Sequence, residues 1–307
     1  MFPSLENIAA RLRLKQLRLL IELDNHGSLH KAAEEMAISQ PGATKVLREI
    51  ESILGMPLFD RQPKGLVPND VGRCITRYAR LIYSDLAHLR EEVMGITQGE
   101  GGRLSVGVIM GAVPLLSRAL SRLRQKQPTL SVEVVENTSA SLLALLDEGR
   151  LDLAICRTGV SRRASAYQSV ALGDEPLSVV ATRNHPLAGA AHLEISELSH
   201  YRWIVYPVQM PMRQALEREL SEAGLEVPRY PLETSSTFAT MMLLQEDPTL
   251  VAVIPREVAE FAERFGVLVQ LPVSLRALVE PFGAVSRAGT ELSPAARLLL
   301  EELLSEC

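Results

Sequence analysis

The stretch Ser28-Leu29-His30-Lys31-Ala32-Ala33-Glu34-Glu35-Met36-Ala37-Ile38-Ser39-Gln40-Pro41-Gly42-Ala43-Thr44-Lys45-Val46-Leu47-Arg48-Glu49-Ile50-Glu51 divides at Ala37-Ile38 into two short helices. Ser28 is a good N-cap for the first, and Leu29, Ala32, Ala33 and Met36 share one of its faces. Ser39 caps the second, with Pro41 in the first turn, where a missing N–H costs nothing. Ala43, Val46, Leu47, Ile50 and Leu54 are its buried positions, and it stops at Gly55. Upstream, Leu14, Leu17, Leu20 and Ile21 repeat at helical spacing until Asn25-His26-Gly27, a C-cap signal. Residues 14–60 are therefore expected to be helical, with a helix-turn-helix at their centre.

Met56-Pro57-Leu58-Phe59-Asp60-Arg61-Gln62-Pro63-Lys64-Gly65-Leu66-Val67-Pro68 places two strand-like pieces around a basic tip with Pro and Gly. Beside a helix-turn-helix, such a hairpin is a wing. Asn69 then caps a long helix on which Val71, Ile75, Tyr78, Ile82, Leu86, Leu89, Val93 and Ile96 recur every three or four residues. That stripe needs a partner, either a second copy of the helix or its own domain. Gln98-Gly99-Glu100-Gly101-Gly102 reads as a hinge.

Beyond the hinge, strands and helices alternate. Strands are expected at Leu104–Ile109, Leu130–Glu136 and Leu151–Cys156, with helices over 113–127 and 139–148. A middle block follows with strands at Glu175–Thr182, Arg202–Tyr206, Pro231–Glu233 and Leu250–Ile254, and helices over 211–223 and 236–245. A strand near 279–286 and a helix at 294–305 finish the chain. The alternation implies a mostly parallel sheet covered on both faces, as one large α/β domain or as two lobes with a cleft.

The 307 residues suit two or three domains, and 47% hydrophobic content is that of a globular chain. The net charge of −5 is unevenly spread: residues 11–80 carry a surplus of +4, leaving −9 for the remainder. A small basic module beside a larger acidic one fits a nucleic-acid reader with a separate sensor. Cys74, Cys156 and Cys307 are odd in number and widely spaced, which excludes a disulfide framework and zinc spacing. The N-terminus lacks the apolar core of a signal peptide, and no stretch approaches the ~20 apolar residues of a membrane span, so the chain reads as cytoplasmic. The six histidines form no metal spacing, and Gly-x-Ser-x-Gly, phosphate-loop and dinucleotide fingerprints are missing, so neither an enzyme, a cofactor nor a metal is expected. Cys156, at a strand end, reads as a small buried residue, and Trp203 as core.

The paired alanines, Ser39-Gln40-Pro41, Thr44 four residues after Gln40, Ile50-Glu51 and Leu54-Gly55-Met56-Pro57-Leu58-Phe59-Asp60-Arg61 together resemble the DNA-binding signature of the LysR family of transcriptional regulators. Gly149-Arg150-Leu151-Asp152-Leu153-Ala154-Ile155 and His185-Pro186-Leu187-Ala188 extend the resemblance over almost the whole chain. It implies an N-terminal all-α winged helix-turn-helix over 1–68 and a linker and dimerisation helix over 69–98. An effector-binding domain over 99–307 follows, built of two α/β lobes resembling periplasmic binding proteins. Lobe I is expected at about 103–172 and 273–307 and lobe II at about 173–272. The implied partners are a double-stranded DNA operator, a small-molecule effector with an organic acid among the candidates, a homodimer or homotetramer, and RNA polymerase if the protein activates. No membrane partner is implied.

The resemblance places base or backbone contacts at Gln40, Pro41, Thr44 and Lys45, and the chemistry fits. Gln bonds the adenine edge in two places, Thr meets a base or a thymine methyl, and Lys45, standing where many members have Arg, makes a point contact. Arg48 follows one turn on, Arg61 and Lys64 flank the wing tip within reach of phosphate or minor groove, and Ser28 offers a hydroxyl to a phosphate. In the sensor, turns at Met110-Gly111-Ala112, Asn137-Thr138-Ser139 and Ser235-Ser236-Thr237 each open a helix, and helix starts with hydroxyls favour anions. The resemblance places effector contacts at Thr138, Ser139 and Pro207, and Gly111, Arg202 and Thr237 are further candidates. Capping is the alternative role for Thr138 and Ser139; Arg157 and Arg202 could pair a carboxylate, with surface or interface salt bridging as the alternative. Gly111 departs from family members with carboxylate effectors, which have Ser or Thr about there.

Overall fold

The fold of the N-terminal region follows from how its helices begin and end. In the computed structural model, which describes residues 3–63, 65–98, 102–226, 231–276 and 279–306, Ser4 caps α1 (Leu5–Arg11), a helix the sequence reading does not foresee. α2 (Leu14–His26) ends on Gly27 at φ 59°, a left-handed turn that glycine adopts without strain. Ser28 caps α3 (Leu29–Glu35), and Ala37, at φ 52°, turns the chain into α4 (Gln40–Leu54), capped by Ser39. Ala32, Ala33 and Ala43 are buried against Leu19, Leu20, Leu23, Leu47 and Ile50. Methyl side chains at these positions let three helices approach closely, which larger residues would prevent.

β1 (Phe59–Gln62) and β2 (Gly65–Pro68) pair antiparallel, from Phe59 opposite Pro68 to Gln62 opposite Gly65. The hairpin is tied down near its turn: the Leu66 N–H donates to the Gly27 carbonyl at 2.8 Å. The backbones approach so closely that a Cβ on Gly65, itself at φ 128°, would lie 2.3 Å from the Gly27 oxygen. Asn69 then accepts from the Gly72 N–H at 2.9 Å and starts α5 (Asp70–Gln98).

The fold divides into two compact units: the chain up to Arg103 with Ala144–Leu151, and Leu104–Leu143 with the chain from Asp152 onward. The second unit holds two five-stranded sheets. In lobe I the order is β4 (Ser131–Glu136), β3 (Arg103–Val108), β5 (Leu153–Cys156), β12 (Val279–Arg287), β6 (Tyr167–Glu175). β3 and β5 run parallel, and β12 runs antiparallel to β5 and β6. Its helices are α6 (Val113–Lys126), α7 (Ser139–Asp147) and α11 (Pro294–Leu304). α11 is clamped to α6 by Arg122, which donates to Glu302 at 2.9 Å and also pairs Glu306.

In lobe II the order is β11 (Val269–Gln270), β7 (Leu177–Ala181), β10 (Leu250–Pro255), β8 (Arg202–Val205), β9 (Leu232–Glu233), with α8 (Pro211–Glu222), α9 (Thr237–Glu246) and α10 (Arg256–Arg264). Trp203 is buried in this lobe's core, its indole N–H donating to the Leu198 carbonyl. The chain crosses between lobes twice, from β6 to β7 and from β11 to β12.

Of the two sensor layouts left open by the sequence, two lobes are found. The strand expected over Glu175–Thr182 is cut by Pro176, which has no N–H to donate to a ladder. Glu175 therefore ends β6 in one sheet and Leu177 begins β7 in the other. β6, α10 and β11 lie outside the sequence expectation. β6 is exposed along its middle, so alternation is lost, and α10 is short and strongly charged. The hinge expected at 98–102 falls mostly on residues 99–101, outside the described residues.

Gly65→Ala is expected to cost about 1–3 kcal/mol, because both the backbone angle and the Gly27 carbonyl resist a Cβ. Urea unfolding of the full chain, followed by circular dichroism, would show a lower midpoint; an unchanged midpoint refutes the close approach.

Candidate functional site

α4 buries one face and offers the other. Ala43, Leu47 and Ile50 turn inward, while Gln40, Pro41, Lys45 and Arg48 are exposed. Thr44 is half-buried and donates its hydroxyl to the Gln40 carbonyl at 3.0 Å. Ser28 is half-buried at the cap of α3, where it accepts from the Lys31 N–H at 3.5 Å. Arg61 is exposed on β1, opposite Leu66, and Lys64 lies outside the described residues. Arg11 and Arg13, not foreseen from sequence, line a shallow groove with Lys45 and Arg48. Four cations beside one helix face suit a polyanion, and the Gln and Thr at that helix's start suit base edges.

The second site is a cleft of about 670 Å³ between the lobes, within the range of small-molecule sites. Lobe I contributes Ile109 and Met110 after β3, Glu136 to Ala140 at the end of β4 and start of α7, and Arg157 and Val160 after β5. Lobe II contributes Gln209 to Met212 before and within α8, and Ser235 and Ser236 before α9. Glu175, at the crossover, forms part of the wall.

An ion pair lies at the base of this cleft. The Arg157 guanidinium donates to Glu175 Oε2 at 2.6 Å and to the Glu280 carbonyl, and both side chains are 3% exposed. The Arg157 backbone N–H donates to Ser139 Oγ at 3.2 Å. Burial pushes the Glu175 carboxyl above its ordinary range, while the Arg157 charge and hydrogen bond pull it back. Its second oxygen, Oε1, has no hydrogen-bond partner among the described residues. It sits against Gly111, where a Cβ would lie 1.7 Å away. The Tyr206 hydroxyl is driven far above the tyrosine range by burial, with Glu175 adding to the effect, and it donates to Met110 Sδ at 3.8 Å. Burial likewise pushes the Cys156 thiol up to about 12, so it stays protonated and is a poor nucleophile or redox sensor.

Of the residues singled out from sequence, Thr138 and Ser139 line the cleft. Thr138 also caps α7, its Oγ1 accepting from the Ser141 N–H, whereas Ser139 Oγ accepts from the Arg157 N–H beyond β5. Gly111 lies behind Glu175, and Pro207 and Thr237 adjoin lining residues without lining the cleft themselves. Arg202 is the first residue of β8, at the opposite end of that strand from Tyr206 and Pro207, and is not a cleft residue. Glu136, Glu175 and Gln209 are cleft residues that the sequence reading misses. The available signal for Glu175 is an acid set between Leu172 and Leu177 and followed by proline, where a solvated charge is out of place. Arg157 reads from sequence as a surface or interface salt-bridging cation; it is salt-bridged, but buried.

Residues 97–307 match the family described as LysR substrate binding domain, and residues 14–73 match that described as bacterial regulatory helix-turn-helix protein, lysR family. The HTH-type transcriptional regulator GbpR of Azospirillum brasilense is 32% identical over 304 residues, covering 98% of this chain and 89% of that protein. The RuBisCO operon transcriptional regulator of Allochromatium vinosum is 28% identical over 293 residues, covering 95% and 96%. Among solved structures, CbnR, a LysR family transcriptional regulator, superimposes with a TM-score of 0.67 at 19% identity, covering 95% of this chain and 98% of that one. Full-length CbnR complexed with its target DNA gives 0.67 at 19%, covering 96% and 100%. At those identities the structural likeness carries the fold alone.

Arg157→Met is expected to lower stability by about 3–5 kcal/mol, because it strands the Glu175 carboxylate without its counter-charge. Arg157→Met with Glu175→Met should recover most of that loss in denaturant unfolding. A single variant as stable as the parent would show that the pair does not form.

Proposed function

The chain belongs to the LysR family of DNA-binding transcriptional regulators with an effector-binding domain, and from that premise we propose how its parts divide the task. Residues 1–68 read the operator, 69–98 form the linker and dimerisation helix, and 99–307 sense a small molecule held in the cleft. The chain is thus a regulator, as its relatives are, and not an enzyme.

One observation carries the DNA reading: Gln40, Lys45 and Arg48 are exposed on the outer face of a helix whose other face is core. Such a helix enters the major groove by its N-terminal part. Gln40, Pro41 and Thr44 then meet base edges, while Lys45 and Arg48 meet bases or phosphates. Arg11, Arg13, Arg61, Lys64 and Ser28 add backbone contacts.

Val71, Tyr78, Ile82, Leu86, Leu89 and Val93 of α5 are 36–57% exposed in the single chain. A stripe of six large apolar residues on one helix favours a second copy as the partner. The chain therefore pairs as a homodimer through α5, and dimers of dimers give the tetramer expected from the resemblance. Effector binding shifts the two lobes, and the α5 pair transmits the shift to the readers, changing their spacing on the operator. RNA polymerase is a further partner where the outcome is activation.

Lys45→Ala and Arg48→Ala are expected to weaken binding to the DNA upstream of the protein's own gene. Each lost phosphate contact lowers the slope of log K against log salt by about 0.9. Fluorescence anisotropy from 50 to 300 mM salt, about the range over which counterion release is read, checks this; unchanged slopes remove those residues from the interface. Leu86→Glu with Leu89→Glu should dissociate the dimer in sedimentation velocity, and an intact dimer would move the interface elsewhere.

A further inference from the structure

Resting on the reading of the cleft as the effector site, we propose the chemistry of the effector: an uncharged, hydroxyl-rich ligand, one of whose hydroxyls donates to the Glu175 carboxylate. The same cleft turns away free carboxylates.

The cation that a carboxylate would seek is already engaged. Arg157 is the only Lys or Arg among the described lining residues, and its guanidinium is committed to Glu175 and to the Glu280 carbonyl. The lining holds two carboxylates, Glu136 and Glu175, against that one guanidinium, so an anion meets net repulsion. Two of the helix starts facing the cleft, those of α7 and α9, carry their own side-chain caps, while that of α8 at Met210-Pro211 carries none. The Thr138 hydroxyl accepts from the Ser141 N–H and is 3.1 Å from Ser141 Oγ, and Ser236 Oγ accepts from the Ala239 N–H at 3.2 Å. A neutral ligand here takes the place of the organic acid expected from hydroxyls at helix starts.

The lining lacks a donor instead. Glu175 is 4% exposed, and its Oε1 is an acceptor with no partner among the described residues. A buried acceptor left unpaired is costly, so whatever fills the cleft gains by supplying a hydrogen. At Glu175 an ammonium would compete with Arg157 for the same carboxylate, whereas a hydroxyl supplies a hydrogen without a second charge. Gly111 completes the seat: any side chain there would collide with Oε1. Because Oε1 is buried beneath the cleft surface, contact takes a small turn of the Glu175 side chain into the cleft. Glu175 closes the strand that crosses between lobes, so the group that reads the ligand is also part of the crossover.

The test uses the full-length protein with three sets of probes on shared carbon skeletons: hexoses, pentoses and alditols; the matching aldonates; and the matching amino sugars. Calorimetry and thermal shift are expected to show binding by neutral members, with their aldonates at least about tenfold weaker. Glu175→Gln removes the acceptor charge and loosens the hold on Arg157, so neutral ligands should weaken and aldonates tighten, each by about tenfold. Glu175→Asp keeps the charge but withdraws it by one methylene. It should weaken the neutral ligands without admitting aldonates, and it decides the matter if Glu175→Gln fails to fold. A parent protein that prefers aldonates or amino sugars overturns the proposal and leaves the effector cleft standing, as does a preference unmoved by either variant. Binding by none of the three sets also overturns it. Ala140→Trp fills the cleft, and ligand binding that survives it overturns the cleft reading itself.

Discussion

A buried arginine ties β5, β6, β12 and α7 of lobe I together beside the crossover to lobe II. Arg157 reaches from the end of β5 to the carboxylate that ends β6 and to a carbonyl of β12, while its own N–H is held by the first residue of α7. Withdrawing both charges from water costs several kcal/mol per ion in effective terms, and a well-packed apolar pair in the same space is often no less stable. The guanidinium meets that cost with acceptors on two different strands, and one carboxylate oxygen is left over. That leftover oxygen, unpartnered among the described residues, leaves no room for a side chain at Gly111 and puts a polar group at the first of the two crossings between the lobes.

The reading unit depends on size and not on charge. Its helices meet over Ala32, Ala33 and Ala43, and its hairpin is pinned to the end of α2 by one hydrogen bond beneath a glycine. These devices fix the outer face of α4 as a rigid surface. A surface that must match the spacing of base pairs gains from such support, because side chains held loosely would lose their geometry before they lost their chemistry.

Much of this is legible in the residues themselves. Caps at Ser28, Ser39 and Asn69, stops at Gly27 and Gly55, and apolar spacing at 3.6 residues are local signals, and each coincides with a helix end or face in the structure. The α/β alternation is local too, so most of the strand and helix order is within reach, β6, α10 and β11 excepted; the mostly parallel sheet it implies is instead mixed, with antiparallel pairing at β7 and β12. What escapes depends on neighbours distant in sequence. β6 is mostly exposed along its middle and is held in place by pairing with β12, more than a hundred residues later, so its own residues carry no alternation. The burial of Arg157 and its partner escape the sequence because nothing nearby in the chain announces Glu175, which is eighteen positions on. Arg202 misleads in the opposite sense: its strand does point at the cleft, but from the far end. Arg11 and Arg13 become part of a basic groove only once α1 is seen beside α4.

The sheet order of lobe I also governs when each part of the molecule can be finished during synthesis. β12 stands between β5 and β6, and α11, clamped to α6 by Arg122, is the last described helix of the chain. Lobe I therefore lacks an inner strand until residues 279–287 have left the ribosome, whereas lobe II and the four helices and hairpin of the reader are complete by then. A nascent chain acquires its reader first, then the lobe encoded in the middle, and closes the cleft last. A message cut short ahead of Val279 would accordingly yield a chain with an intact reader and an unfinished sensor, which makes β12 and α11 a checkpoint on whether the protein can be governed at all.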